Sequence, residues 1–164
     1  MDQVLFTLTL VATLGCGLIA GVFFAFSSFV MSALARLPPN EGLAAMQSIN
    51  ITVLNRLFLG VFLGTAAPCL ALLVWSLLRW RGDGVSPYLM AGSALYLVGC
   101  VLVTIVANIP RNESLASLVP GDPAAESQWA RYVRDWTAWN HVRAGASLAA
   151  ATSFGIALGR GSFG

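Results

Sequence analysis

The chain has 164 residues, of which 57% are hydrophobic and 10% are charged, and its mean hydropathy is +0.77. Because a soluble globular domain carries about 25% charged residues, this composition excludes that class and predicts an integral membrane protein. The net charge of +2 comes without a basic patch or an aromatic RNA-binding motif, which excludes nucleic acid as a partner.

Four apolar stretches are long enough to cross the hydrocarbon core of a bilayer, which is about 30 Å thick and takes about 20 helical residues. They are Val4–Ala35, Leu54–Leu78, Tyr88–Ile109 and Val142–Leu158. Because backbone groups in lipid must be satisfied within the protein, we expect four transmembrane helices in a single domain over residues 1–164. The N-terminus, Met1-Asp2-Gln3, carries no positively charged segment, so we expect the first span to be retained.

Small residues spaced four apart occur in three of the spans. The pairs are Gly17/Gly21, Gly60/Gly64 and Gly145/Ala149. Such pairs let helix backbones approach closely, so they predict a compact bundle that packs at these positions.

The connections between the spans are unequal. The second, Arg79–Pro87, is short and turn-like, and we expect Trp75, Trp80 and Tyr88 to form an interfacial belt around it. The first and third are longer, and each contains a helical pattern before the next span. Asp122-Pro123 predicts the start of the later helix, with an N-cap followed by proline. The predicted fold is therefore an all-α membrane four-helix bundle with interfacial amphipathic segments before helices two and four.

The segment Trp129–Arg143 (WARYVRDWTAWNHVR) holds three of the five tryptophans and the only histidine. Its aromatic residues follow one stripe of an α-helix: Trp129, Tyr132, Val133, Trp136 and then Trp139 or Asn140. The sequence after it is small and apolar as far as Leu158, without a proline. This pattern predicts one continuous helix that lies in the membrane interface and then enters the bilayer at Asn140-His141-Val142-Arg143.

Polar residues concentrate at one end of the predicted bundle, where three spans begin or end. They are Gln47, Asn50, Asn55, Arg56, Asn108, Arg111, Asn112, Asn140, His141 and Arg143. Polar groups in or near a bilayer cost free energy, so the grouping predicts a functional site. Taken singly, each is more often a helix cap or a side chain that reaches the headgroups. The set is also compatible with a non-catalytic scaffold or subunit whose polar end binds lipid or a partner protein. A small transporter has little support, because the spans carry few interior charges.

Several kinds of site are excluded by the residues available. One histidine, few carboxylates and three dispersed cysteines (Cys16, Cys69 and Cys100) provide no metal-ligand set and no redox pair, so we expect the cysteines to be packing residues. No Gly-rich phosphate loop, Ser-His-Asp pattern or paired-carboxylate motif is present. His141 is the one side chain suited to proton transfer near neutral pH.

Four pieces of the chain resemble one known family. FAFSSFVMSALARLP (Phe24–Pro38), AAMQSIN (Ala44–Asn50), NIPRNESLA (Asn108–Ala116) and W-x6-W-x2-WNHVR (Trp129–Arg143) are similar to the DUF1772 family of four-helix membrane proteins, which includes the anthrone oxygenases. The resemblance covers nearly the whole chain, and the N-x-P-x-N and WNHVR elements are its most specific parts. The matched positions are Asn108, Pro110, Asn112, Trp136, Asn140, His141 and Arg143. Arg111 stands where many members have an uncharged residue, which could change the choice of substrate.

The resemblance implies oxidation of a polycyclic phenolic anthrone to an anthraquinone by O2, with no metal or flavin cofactor. His141 would be the base, and Arg143, Asn108 and Asn140 would stabilise the substrate anion. Trp136, Trp139 and Phe26 would stack on the substrate, and Asn112, Asn50 and Gln47 would complete its site.

The partners that follow from this interpretation are the lipid bilayer, a hydrophobic aromatic small molecule and O2. We expect the protein in the bacterial inner membrane, and a homo-oligomer is compatible with the sequence. The arginines on the two faces of the predicted bundle do not fix its orientation.

Overall fold

The computed structural model describes residues 1–79 and 84–162, and this part of the chain forms five helices and no strand. The helices are α1 (Gln3–Leu34), α2 (Pro39–Thr52), α3 (Arg56–Leu78), α4 (Ser86–Ala116) and α5 (Pro123–Ser162). Four of them, α1, α3, α4 and α5, are long and apolar enough to cross a membrane. The predicted all-α fold with four spans is confirmed, and the chain is an integral membrane protein.

Side-chain caps begin three of the helices, as their sequences lead one to expect. The Leu5 N–H donates to Asp2 Oδ1 at 2.8 Å before α1, and the Phe58 N–H donates to Asn55 Oδ1 at 2.9 Å before α3. The Ala124 N–H donates to Asp122 Oδ1 at 2.8 Å, so the predicted start of α5 is confirmed.

Two of the spans widen into π-helix at the same end of the bundle. The turn Phe26–Val30 of α1 is π-helical, and so is Thr104–Asn108 of α4. The second of these directly precedes Pro110, which has no N–H to donate and whose ring crowds the preceding turn. Because the wider turn accommodates the proline, α4 continues to Ala116, whereas the sequence predicted a span that ends at Ile109.

Helix α5 is continuous over 40 residues, which makes it roughly 60 Å long, about twice the thickness of the hydrocarbon core. This confirms the predicted single continuous helix. The side chains of Trp129, Tyr132, Trp136 and Asn140 are buried, whereas Trp139 is 39% exposed. The buried stripe therefore runs through Asn140 and not through Trp139.

The buried residues form two clusters, one among the spans and one at the interfacial end. The first contains Cys16, Cys69 and Cys100 from three different spans, together with Tyr96 and Phe154. Cys16 and Cys69 belong to the same cluster, although they are 53 positions apart in the sequence. The second cluster joins the end of α1, α2 and the aromatic stripe of α5. Its members are Met31, Leu34, Leu43, Met46, Leu115, Ala125, Trp129, Tyr132 and Trp136.

The predicted helix contacts at the small-residue pairs are wrong within the chain. A Cβ added at any of Gly17, Gly21, Gly60, Gly64 or Gly145 would meet nothing within 4 Å. The buried row of α1 passes instead through Ala12, Cys16, Ile19 and Phe23, and the two glycines lie beside it. Close approach occurs at other glycines: a Cβ at Gly92 would lie 2.8 Å from the Phe154 ring, and one at Gly99 would lie 2.5 Å from Ala146 Cβ.

The short connection between α3 and α4 is described only at its ends. Trp80 of the predicted interfacial belt lies outside the described residues, as do Arg81, Gly82 and Asp83. At the same end of the bundle, the Arg160 guanidinium lies 4.7 Å from the centre of the Tyr88 ring.

Candidate functional site

A cavity of about 270 Å³ lies among the five helices at the end where the polar residues gather. This volume is close to the lower limit for sites that hold small organic ligands. Its walls are largely apolar and aromatic, and Arg143, Asn112, Asn50 and Thr104 are their polar members. The aromatic residues that line it are Phe23, Phe26, Phe58, Phe62 and Trp136.

The mouth of the cavity faces the apolar surface of the bundle. Leu54, Leu63 and Ile105 line the cavity and are also 67%, 57% and 53% exposed. Leu63 and Ile105 belong to spans α3 and α4, so lipid covers this surface in a membrane. A ligand dissolved in the bilayer therefore has a direct route to the cavity.

Among the described residues, Arg143 is the only charged one that lines this cavity, and it is 4% exposed. Its Nη2 donates to Asn140 Oδ1 at 2.7 Å and its Nη1 donates to Thr104 Oγ1 at 3.2 Å. Its guanidinium carbon lies 4.1 Å from the centre of the Phe23 ring and 5.1 Å from that of Trp136.

No described carboxylate lies within ion-pair distance of Arg143, and its Nε–H has no partner in the described part of the chain. Removing an unpaired charge from water is costly, so buried charges are normally paired with an opposite charge. The rings and neutral oxygens around Arg143 stabilise its charge without cancelling it. The guanidinium therefore remains available to an anion that enters the cavity.

Asn140 holds Arg143 in place. It is fully buried, and its Nδ2 donates to the Phe23 carbonyl at 2.7 Å and to Ser27 Oγ at 2.8 Å, which leaves Oδ1 for Arg143. Ser27 lies in the π-helical turn of α1 and Phe23 lies one turn before it; such local widening is frequent at functional sites. The side chain of Asn140 thus ties α5 to α1 and fixes the orientation of the guanidinium.

A second polar group lies on the other side of Trp136. Asn112 Oδ1 accepts hydrogen bonds from Trp136 Nε1 at 2.8 Å and from the Tyr132 hydroxyl at 3.0 Å. Asn50 Nδ2 donates to the same Tyr132 hydroxyl oxygen at 3.4 Å. Stacked rings support this network, since Tyr132 packs between Trp129 and Trp136.

Two of the predicted amide residues have structural partners and do not line the cavity. Gln47 Nε2 donates to the carbonyls of Leu115 and Leu118, which places it at the C-terminal end of α4. Asn108 is 1% exposed, and its Nδ2 donates to the Trp136 carbonyl at 3.3 Å. Its Oδ1 has no partner among the described residues.

The structure does not bring His141 to the cavity. This histidine is exposed, and it lines a groove with Gly17, Gly21 and Gly145 instead. The physical reason is helical phase: residues two apart on an α-helix are about 200° apart around its axis, so His141 and Arg143 point to opposite sides of α5. Trp139 likewise lies outside the cavity, under the Arg111 guanidinium at 5.9 Å. The single site expected from the sequence is thus divided, and the proposed role of His141 as a base stays a prediction.

Thr104, Tyr132 and Ser27 complete the site but were absent from the predicted set. Thr104 could have been found, because Thr104, Asn108 and Asn112 are spaced four apart and share one face of α4. The placement of Arg143 could have been found in the same way, since Trp129, Trp136 and Arg143 follow each other at intervals of seven. Phe23 and Ser27 contribute a carbonyl and a hydroxyl at positions that only the packing of α1 on α5 determines.

Within residues 1–79 and 84–162, no group of three or more histidine, cysteine, aspartate or glutamate side chains is arranged to hold a metal ion.

Comparison with known proteins gives one match. The family model described as "Anthrone oxygenase" matches residues 55–153, a range that contains Asn108, Asn112, Trp136, Asn140 and Arg143. No curated protein and no solved structure matches the chain.

Proposed function

Because the chain belongs to the anthrone oxygenase family, we propose that it is a membrane-embedded oxygenase that uses O2 to oxidise an anthrone-type polycyclic phenol to a quinone. The observation that carries this proposal is the buried guanidinium of Arg143, which has no described carboxylate partner and lines an apolar cavity. The substrate binds there as its anion, with its negative oxygen beside Arg143.

The proposed role of Arg143 is to favour the ionised substrate over the neutral one. In an apolar site a phenol or enol is normally held neutral, because burial penalises the charged form. A fixed cation reverses this preference, and each tenfold stabilisation of the anion, about 1.4 kcal/mol, lowers the pKa of the bound ligand by one unit. The hydrogen bonds from Arg143 to Asn140 and Thr104 set the guanidinium before the substrate arrives, so little reorganisation is needed when charge develops.

The reaction needs an electron-rich substrate and O2. The substrate first loses a proton, which the proposal gives to water, and its anion transfers an electron to O2. Recombination at the reactive carbon forms a C–O bond and a substrate hydroperoxide. Loss of water then breaks the O–O bond and leaves the quinone carbonyl. One oxygen atom of O2 is incorporated and the other leaves as water, so the four electrons released by converting CH2 to C=O reduce one O2. In this proposal the protein supplies position and counter-charge.

The aromatic walls suit a flat polycyclic ligand. The Phe26 and Trp136 rings are 5.7 Å apart, and Phe58 stacks on Phe62 at 5.8 Å. A planar ring system can pack against such surfaces with offset or edge contacts. The lipid-facing mouth supports delivery of a hydrophobic substrate and of O2 from the bilayer.

The remaining parts of the proposal concern location and cofactors. We propose the bacterial inner membrane, because membrane-spanning proteins of the bacterial outer membrane are β-barrels whereas these spans are helices. We also propose that the reaction requires no metal or flavin, since the substrate anion itself supplies the electrons. A homo-oligomer stays a prediction.

The test is Arg143→Met, assayed by oxygen consumption with 1,8-dihydroxyanthrone in proteoliposomes. Removing one preorganised electrostatic contact costs about 10²–10³-fold in turnover in other enzymes, and we expect a loss of that size. Arg160→Met is the matched control, because Arg160 also lies over an aromatic ring but at the opposite end of the bundle. We expect this control to retain wild-type turnover.

Stability separates a functional from a structural role of Arg143. Replacing a buried charge by an apolar side chain of similar size is often neutral or stabilising, so Arg143→Met should melt at or above the wild-type temperature. Equal turnover in both variants and the wild type would overturn the role of Arg143. Wild-type protein that binds the substrate without consuming oxygen would favour the non-catalytic scaffold instead.

A further inference from the structure

Asn112 and Asn50 carry the next inference, because each lines the cavity with part of its amide still free. The orientation of Asn112 is fixed by chemistry: the indole N–H of Trp136 can only donate, so the atom that it contacts must be Oδ1. The Tyr132 hydroxyl donates to the same oxygen. The NH2 group of Asn112 is therefore the part that has no partner among the described residues.

Asn50 is oriented in the complementary sense. The Tyr132 hydroxyl has already given its hydrogen to Asn112, so it can only accept from Asn50, and the atom of Asn50 that faces it must be Nδ2. This leaves Asn50 Oδ1 without a partner in the described part of the chain. Because both amides contact one hydroxyl, the free donor and the free acceptor belong to one hydrogen-bonded group of the cavity wall.

Asn112 and Arg143 contact different parts of the Trp136 indole. Asn112 bonds the edge of that indole through Nε1, whereas the guanidinium lies 5.1 Å from the ring centre. A flat ligand packed along Trp136 would therefore contact the Arg143 guanidinium at one edge and the amides of Asn112 and Asn50 at another. The amide pair matches a hydroxyl group, which both donates and accepts, better than a carbonyl, which only accepts.

From this arrangement we propose that Asn112 and Asn50 form a hydroxyl-recognition site that makes the enzyme specific for polycyclic phenols with a further outer-ring hydroxyl besides the two that flank the ring carbonyl. The Asn112 NH2 donates to the oxygen of that hydroxyl, and its hydrogen goes to Asn50 Oδ1. The inference rests on the proposed function, since Arg143 holds the ionised oxygen of the same ligand. Asn112 is then a specificity-determining residue, and Tyr132 is a positioning residue that holds both amides.

The experiment compares two substrates that differ by one hydroxyl, 1,8-dihydroxyanthrone and 1,3,8-trihydroxyanthrone. For wild-type protein in proteoliposomes, we expect kcat/KM to be about tenfold higher for the trihydroxy compound, the usual worth of a neutral hydrogen bond. Asn112→Asp retains the acceptor for Trp136 and Tyr132 but removes the donor, and Asn112→Ala removes both without adding charge. The preference should fall to about twofold or less in each variant. A merely structural role would lower kcat/KM for both substrates and leave their ratio intact.

Two further measurements separate the possible failures. The Kd values of the matching anthraquinones, measured by quenching of tryptophan fluorescence, report recognition without turnover and should show the same tenfold preference. Asn40→Asp, an exposed asparagine of α2, controls for the added negative charge and should retain the preference. A binding preference that depends on Asn112, in protein that consumes no oxygen, supports the hydroxyl site and overturns the oxygenase. Turnover that depends on Arg143 but shows no preference, or a preference that survives both Asn112 variants, overturns the hydroxyl site.

Discussion

Arg143 and His141 lie two residues apart in the same helix, yet their surroundings differ in almost every physical respect. Arg143 is 4% exposed, has two hydrogen-bond acceptors and lies against the Phe23 ring in the wall of the cavity. His141 is exposed in a shallow groove that glycines line, and it has no hydrogen-bond partner among the described residues. Two residues of one short polar motif thus face two different surfaces, Arg143 the cavity and His141 the groove.

Helical phase, and not proximity in the sequence, therefore decides which residues share a site. Trp136, Asn140 and Arg143 are spaced four and three apart and fall on one face of α5, where the other helices pack. His141 falls on the face that is left open. We therefore propose that the packed side of α5, which carries Arg143, binds the substrate.

The largest effect within this comparison is expected for Asn140→Asp, which gives Arg143 a carboxylate partner without changing the shape of its neighbour. The new ion pair would neutralise the cation, and turnover with 1,8-dihydroxyanthrone should fall by about 10²-fold, a typical worth of a preorganised electrostatic contact. Asn140→Ala should lose less, about tenfold, because it frees the guanidinium without neutralising it. If Asn140→Asp were the more active of the two, the unpaired charge of Arg143 would not be the essential feature.

The packed and open sides of α5 should also differ in their tolerance of bulk. Gly99→Val would drive its side chain into Ala146, whereas Gly145→Val would extend into open space. Overpacking a core costs about 1–3 kcal/mol, so Tm in detergent should fall by several degrees for the first variant and change little for the second. A comparable loss of Tm in both variants would mean that another surface covers the groove, as in an oligomer.

The smallest effect is expected for His141→Gln. Because His141 does not line the cavity, oxygen consumption should remain within about twofold of the wild-type rate, far less than the 10²–10⁴-fold usually lost with a general base. A loss in that larger range would restore the sequence-based hypothesis that His141 is the base. It would also require a movement of α5 that brings the imidazole to the substrate.

The local features of the fold could be predicted from the sequence. The four spans, the unbroken α5 and the N-cap at Asp122 depend on apolar length and on capping chemistry within a few residues. The positions of the contacts between helices could not. The convergence of Cys16 and Cys69, and the packing at Gly92 and Gly99, depend on how each helix is rotated against its neighbours.

The residue types of the site could be predicted from the sequence, but several of their contacts could not. The residue types were visible as a polar cluster, and the phase of Arg143 can be read from its spacing to Trp136. The hydrogen bonds from Gln47 to the carbonyls of α4 could not be predicted from the sequence, because they depend on how α2 packs against the end of α4. The orientation of the Asn112 amide likewise depends on its contacts with two side chains of α5.

The most direct test of the central claim is the ionisation of a bound ligand. 1,8-Dihydroxyanthraquinone changes colour when a phenolic hydroxyl ionises, so its pKa in the complex can be measured by titrating the visible absorption of proteoliposomes. We expect a pKa at least one unit lower in the wild-type complex than in the Arg143→Met complex, because the guanidinium stabilises the anion whereas the apolar cavity alone disfavours it. Equal pKa values in the two complexes would contradict the claim that Arg143 binds the substrate as its anion.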